Sequence, residues 1–211
     1  MRKGTIMAVT ISRLYDRYAD AERAVSQLEA AGIPQSDISI VANNSDEWYN
    51  SGKNDRDRDG VDDRAESAGK GAGIGAGIGG TAGLLAGLGL LAIPGLGPVV
   101  AAGWLAATAV GAAAGAATGG LIGALTEAGI SEEDAHTYAE GVRRGGTLVT
   151  ARVPDSQADR AKFETLLDQS SVNLRDRRAV WEKTGWQRFD PRSEPYGVEE
   201  VRRERELCSG L

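Results

Sequence analysis

Asp55-Arg56-Asp57-Arg58-Asp59-Gly60 opens a twelve-residue window that closes at Glu66. Oxygen-bearing side chains stand at loop positions 1, 3, 5, 9 and 12, which are Asp55, Asp57, Asp59, Asp63 and Glu66. The main-chain carbonyl of Val61 would serve position 7, and Gly60 stands where such a loop turns sharply. A hard cation such as Ca2+ takes six to eight oxygen ligands, so this spacing makes the window a candidate calcium loop. Against that reading, no helix pattern precedes the window, Asp62 stands where an apolar residue is usual, and Arg56, Arg58 and Arg64 dilute the negative charge. An acidic, solvated linker over 46–70 explains the same residues. Calcium is therefore an alternative, and no other cofactor is expected.

The remaining chemistry-bearing residues are sparse. The chain has one His and one Cys. His136 lies among Asp and Glu on a helix pattern and reads as a surface residue rather than a base. Cys208 reads as an incidental free thiol, and one cysteine excludes a disulfide scaffold or a cysteine-built zinc site. The acidic pair Glu132-Glu133 is explained by a helix start. Repeated glycines mimic a dinucleotide fingerprint, but no strand pattern leads into Gly71 and no acidic residue follows about 20 positions on. Lys70 follows Gly69, yet position 64 is Arg, so the phosphate-binding loop pattern fails as well. No enzyme and no small-molecule substrate are expected. The 24 basic and 30 acidic residues give a net charge of -6. Arg175, Arg177 and Arg178 are offset by Asp176, so the basic patch that nucleic acid requires is missing.

The 29 glycines are the compositional anomaly, and their placement matters more than their number. From Gly71 to Thr126 no position is charged. Within that block Gly71, Gly75, Gly79, Gly83 and Gly87 recur every fourth residue. Gly111, Gly115, Gly119 and Gly123 do the same, in a register that extends back through Ala107 to Gly103. Between the two runs, Pro94, Gly95, Gly97 and Pro98 form a strong turn signal. Positions four apart form one ridge of a helix, and a ridge without side chains lets another helix approach closely. The spacing predicts a hairpin of two helices, 71–93 and 98–126, about 35 Å and about 43 Å long at 1.5 Å per residue, each longer than a ~30 Å hydrocarbon core. All Lys and Arg lie on the side away from the turn. The positive-inside rule then puts both ends of the chain in the cytoplasm. No secretory leader is expected, because the apolar run between Met1 and Ile11 is too short.

The flanks read as ordinary soluble elements. Ala8 to Tyr15 is β-branched and partly alternating. Asp20 can cap a helix carrying Ala21, Ala24, Val25, Leu28 and Ala31, which Gly32 and Pro34 end. Ile38 to Val41 is a second strand. After the block, Ser131 with acidic residues at 132–134 starts a helix that stops at Gly145-Gly146. Thr147 to Val153 alternates as a strand. Residues 157–168 form another helix, and Val172 to Leu174 reads as a short last strand. The order β-α-β, then α, then β-α-β predicts an α+β fold, a ferredoxin-like sandwich interrupted by the Gly/Ala-rich helical hairpin. Its segments are 1–45 and 129–177, joined through the linker 46–70 and the hairpin 71–128. The tail 178–211, with Trp181, Trp186, Phe189 and Tyr196 among charges, follows.

Gly129-Ile130-Ser131-Glu132-Glu133-Asp134-Ala135 with Tyr138, then Gly141 and Gly145-Gly146-Thr147-Leu148-Val149, resembles the bacterial general stress protein 17M-like family. Gly32-Ile33 and Ile38-Ser39-Ile40-Val41 are similar to that family's start. The resemblance spans 8–43 and 127–175. It implies a stress-related bacterial protein without catalytic residues to carry over. The hairpin looks like glycine-zipper membrane domains and departs from the family pattern. The combined expectation is a non-enzymatic protein of the cytoplasmic membrane whose partners are the lipid bilayer and further copies of itself. The alternatives are a soluble cytoplasmic assembly with the hairpins in its core, and a calcium-responsive module.

Overall fold

A computed structural model describes residues 8–44, 88–93, 95–113 and 120–208. Among them the chain is α+β, with five strands in one antiparallel sheet and seven helices. The strands are β1 (Ala8–Tyr15), β2 (Ile38–Asn43), β3 (Gly89–Ile93), β4 (Gly97–Gly103) and β5 (Thr147–Pro154). The helices are α1 (Tyr18–Ala30), α2 (Trp104–Ala113), α3 (Gly120–Glu127), α4 (Glu132–Arg143), α5 (Gln157–Asp168), α6 (Leu174–Lys183) and α7 (Val198–Cys208). The spatial order is β1-β5-β2-β4-β3, so the β1-α1-β2 crossover straddles β5.

Alternation in the strands divides the core into two layers. Ile11, Tyr15, Ile38, Ile40, Val149 and Ala151 point to one face, where α1 contributes Ala24, Val25 and Leu28 and α5 contributes Phe163 and Leu167. Leu14, Val41, Val99, Ala101 and Leu148 point to the other, where α2, α3 and α4 contribute Leu105, Leu125 and Tyr138 among others. Helix ends follow local sequence. Ser131 accepts from the Asp134 N–H at 3.1 Å, and Ser156 accepts from the Asp159 N–H at 3.1 Å, each starting a helix. Gly32 and Gly145 take the left-handed conformation that ends α1 and α4. Asp20 is not the cap of α1. The helix starts after Arg17, and Asp20 lies in its first turn, paired with Arg17 and Arg23.

The charge-free block departs from the expected helical hairpin in its described portion. Residues 89–93 and 97–103 are strands that pair with each other, and β4 also pairs with β2. Gly95 and Gly97 occupy the turn between them with φ of 77° and 72°, and the Leu96 N–H donates to the Ile93 carbonyl at 2.9 Å. The physical reason lies in the side chains. A Gly/Ala helix offers little area to bury, and each interior glycine costs roughly 1 kcal/mol relative to alanine. A strand satisfies its backbone whatever its side chains are, and Val99 and Val100 prefer it. Helix begins only at Trp104. The chain turns there through Gly103 at φ 90°, and the Leu105 N–H is capped from β2 by the Ser39 hydroxyl at 2.8 Å. Val172 to Leu174 is not a strand either. Asn173 caps α6, and only the Val172 N–H reaches β1, donating to the Leu14 carbonyl at 2.7 Å.

Candidate functional site

Among the described residues, two places concentrate polar side chains. The first is an open groove of about 270 Å³ along the outer side of β1, bounded by Ser131, Asp134 and Tyr138 of the α4 region and by Arg160 and Glu164 of α5. Its groups are engaged with one another. The Tyr138 hydroxyl donates to the Ser12 carbonyl at 2.7 Å, and burial pushes its pKa up to about 12, so it stays protonated at neutral pH. Asp134 accepts from Ser131 and pairs with Arg178 at 2.7 Å, and Arg160 pairs with Asp155 at 2.6 Å. His136, on α4, contacts Arg188 and Glu132 instead. Burial first, and then the Arg188 charge, hold its pKa below the usual imidazole value.

The second place is a latch at the C-terminal end of α4. Glu140 is 1% exposed and accepts from both Arg143 and Arg144. Arg144 reaches on to Glu204 of α7 at 3.1 Å, and the Trp181 indole N–H donates to the same carboxylate at 2.6 Å. The Arg144 guanidinium lies over the rings of Trp181 and Tyr196, at 4.7 and 5.2 Å from their centroids. The Arg143 guanidinium donates to the Glu194 carbonyl, and the Arg143 carbonyl accepts from the Tyr196 N–H. Burial works to lower the Arg143 pKa, and its bonds to Glu140 outweigh that and raise it. Two carboxylates and two guanidiniums thus neutralise each other out of water, the condition for tolerating buried charge. Arg177 adds a two-point ion pair to Asp16, at 2.9 and 2.8 Å. Together these contacts hold the tail on the domain. The tail crosses the β3–β4 turn, where a Cβ on Gly95 would lie 2.5 Å from Pro191 and one on Gly97 2.5 Å from Pro195. What the latch does chemically is positional. It joins α4, α6 and α7 and clamps the turn beneath residues 189–195.

The glycines singled out for helix packing are dispersed. Gly71, Gly75, Gly79, Gly83, Gly87, Gly115 and Gly119 lie outside the described residues. Gly103 ends β4, where a Cβ would lie 2.2 Å from the Ile38 carbonyl oxygen, so its role is close approach to β2. Gly111 lies in α2 and Gly123 in α3, and these two helices pack on each other. Gly95, Gly97 and Pro98 flank or fill the β-turn, and Pro94 is outside the described residues. The calcium window, Asp55, Asp57, Asp59, Val61, Asp63 and Glu66, also lies outside them. Among the described residues no group of three or more His, Cys, Asp or Glu could hold a metal ion, and no helix is long and apolar enough to cross a membrane. The latch was not singled out from sequence. Its local half, Glu140 three and four residues before Arg143 and Arg144, carries a readable helical ion-pair signal. Its distant half, Glu204 and Tyr196, carries none. Compared with known protein families, curated proteins and solved structures, the chain matches none.

Proposed function

We propose that this is a non-enzymatic, self-associating protein. In this reading an α+β domain carries the glycine segment Gly71–Gly87 as its association element. The observation that carries it is how the charge-free block is divided. Leu96, Val99, Leu105, Leu121 and Leu125 are buried in the domain's own core. That half of the block is therefore committed to the fold. The unbroken four-residue glycine register before it, Gly71 to Gly87, lies outside the described residues and is uncharged throughout. The buried charges support the same class, since Glu140, Arg143, Arg144 and Glu204 neutralise one another and join the tail to the domain. Light scattering in detergent-free buffer tests the proposal. A discrete oligomer is expected, and a monomer at all concentrations sinks it.

The second reading is membrane association through the same segment, with the domain on the cytoplasmic side. Seventeen uncharged positions from Gly71 to Gly87 span about 26 Å as a helix, close to the ~30 Å of a hydrocarbon core. Retention in the membrane pellet after an alkaline carbonate wash would favour it, and release would remove it. A stress-related role rests on the resemblance of 8–43 and 127–175 to the general stress protein 17M-like family. The ferredoxin-like reading of the domain rests on the crossover β1-α1-β2 around β5 with α1 and α5 on one face. Calcium at Asp55–Glu66 stays a proposal for calorimetry, in which no heat at millimolar calcium would exclude it.

A further inference from the structure

We infer that the corner between α4 and α6 is a receptor for a single carboxylate, that Glu204 fills it from the chain's own α7, and that α7 leaves it as a unit while the sheet stays folded. The helix is then an autoinhibitory plug, and the ligand class it holds out is a carboxylate. The plug does not depend on self-association.

The receptor is drawn by the contacts of Glu204. Its two oxygens meet two different donors, the Arg144 Nη1 at 3.1 Å and the Trp181 indole N–H at 2.6 Å. One donor for each oxygen suits the planar fork of a carboxylate. Both donors are positioned by groups other than Glu204. Glu140 accepts from the Arg144 Nε at 2.5 Å and fixes the guanidinium from its other side. The same guanidinium lies over the rings of Trp181 and Tyr196, and Tyr196 is tied to α4 through its own N–H. Trp181 is met edge-on by Trp186, with ring centroids 5.6 Å apart. Charge agrees with geometry. Arg143 and Arg144 carry two positive charges and Glu140 offsets one, so one further carboxylate completes the balance.

Helix α7 has the features of a segment that opens on its own. It closes its own first turn, because Glu200 accepts from the Gly197 N–H at 2.9 Å and the Gly197 carbonyl accepts from the Glu200 and Val201 N–H groups. Of its eleven residues, Val201, Glu204 and Cys208 are buried. Val198 and Leu207 are each 55% exposed. Among the described elements none packs extensively on α7. Val201 sits against Gly145, and Arg205 reaches the Gly145 carbonyl only at 3.5 Å. A helix held through so few side chains opens at a lower free energy than a sheet covered on both faces.

The test uses the full chain. In hydrogen exchange, the α7 amides should exchange at least about tenfold faster than those of β5. Glu204→Gln keeps the shape and removes the charge, and it should speed α7 about tenfold more with β5 unchanged. Glu204→Ala leaves the receptor open. Sodium acetate should then move the Trp181 indole N–H resonance saturably, while sodium chloride at the same concentration leaves it in place. Adding Arg144→Gln should abolish the response to acetate. Equal exchange in α7 and β5 overturns the inference, as does an α7 rate that Glu204→Gln leaves unchanged. A Glu204→Ala chain whose sheet unfolds also overturns it, since helix and sheet would then open as one. An indole resonance that answers acetate and chloride alike, or neither, overturns the receptor.

Discussion

The two faces of the sheet are closed in different ways. The face under α1 and α5 is sealed by apolar side chains, with Val25, Leu28, Ile38, Ile40 and Leu167 fully buried. The face under α2, α3 and α4 has an apolar centre but is finished at one end by charge, where Glu140, Arg143, Arg144 and Glu204 bring the tail down with Trp181 and Tyr196. Apolar closure is forgiving, because its cost scales with the volume removed. Closure by buried ions is not, because removing one partner strands the others in a medium that solvates them poorly. The difference predicts an order of sensitivity.

The largest effect should come from the latch. Trp181→Ala empties a fully buried site and leaves Glu204 without its indole donor. Glu140→Ala leaves Arg143 without a carboxylate partner and Arg144 with Glu204 alone. Each should cost about 3–5 kcal/mol in denaturant unfolding. If Glu140→Ala costs under about 1 kcal/mol, the distinction between the faces collapses. On the apolar face, Leu28→Ala should cost about 2–5 kcal/mol, toward the lower end if α1 can settle into the space.

A third effect is alkaline. Tyr138 has a folded pKa near 12 against an ordinary 10, so the unfolded chain loses its proton first. Its stabilising effect is complete below pH 10 and is lost as pH rises from 10 to 12, by about 2–3 kcal/mol in all. Tyr138→Phe should flatten this part of the stability profile. A Phe variant with the same alkaline loss would show that other groups cause it.

Gly103→Ala should follow, costing at least about 1 kcal/mol, since the residue combines a positive φ with contact to the β2 backbone. The smallest effect is acidic. His136 has a lowered folded pKa, so the unfolded chain takes up a proton more readily, and stability falls as pH drops through 6.5. Replacing His136 with Gln should remove only this slope, seen as a weaker dependence of Tm on pH between 7 and 5.

Much of the first face was legible in the chain. Ala21, Ala24, Val25 and Leu28 repeat at helical spacing, Gly32 ends that helix, and Ser131 and Gly145 bracket α4. The glycine block was not, for a definite reason. Val99, Val100, Ala101 and Ala102 are all buried, so β4 is apolar on both faces and shows no period of two. Without that period, a four-residue glycine spacing was the only pattern left, and it favoured helix. The tail was illegible for another reason. Its contacts join residues far apart in the chain, such as Arg144 and Glu204, and no local spacing records them.

The sequence by itself determined the strands at the two flanks, the start and end of α4 and the end of α1, that a turn falls at Gly95 and Gly97, and that no charge enters 71–126. Capping, side-chain periodicity and left-handed glycine act over a few residues, so they can be read there. The tertiary structure alone decided that 89–103 enters the sheet, and that the tail closes one face through buried ions. Strand pairing and charge burial depend on which distant group completes each hydrogen bond, and only the folded chain supplies that partner.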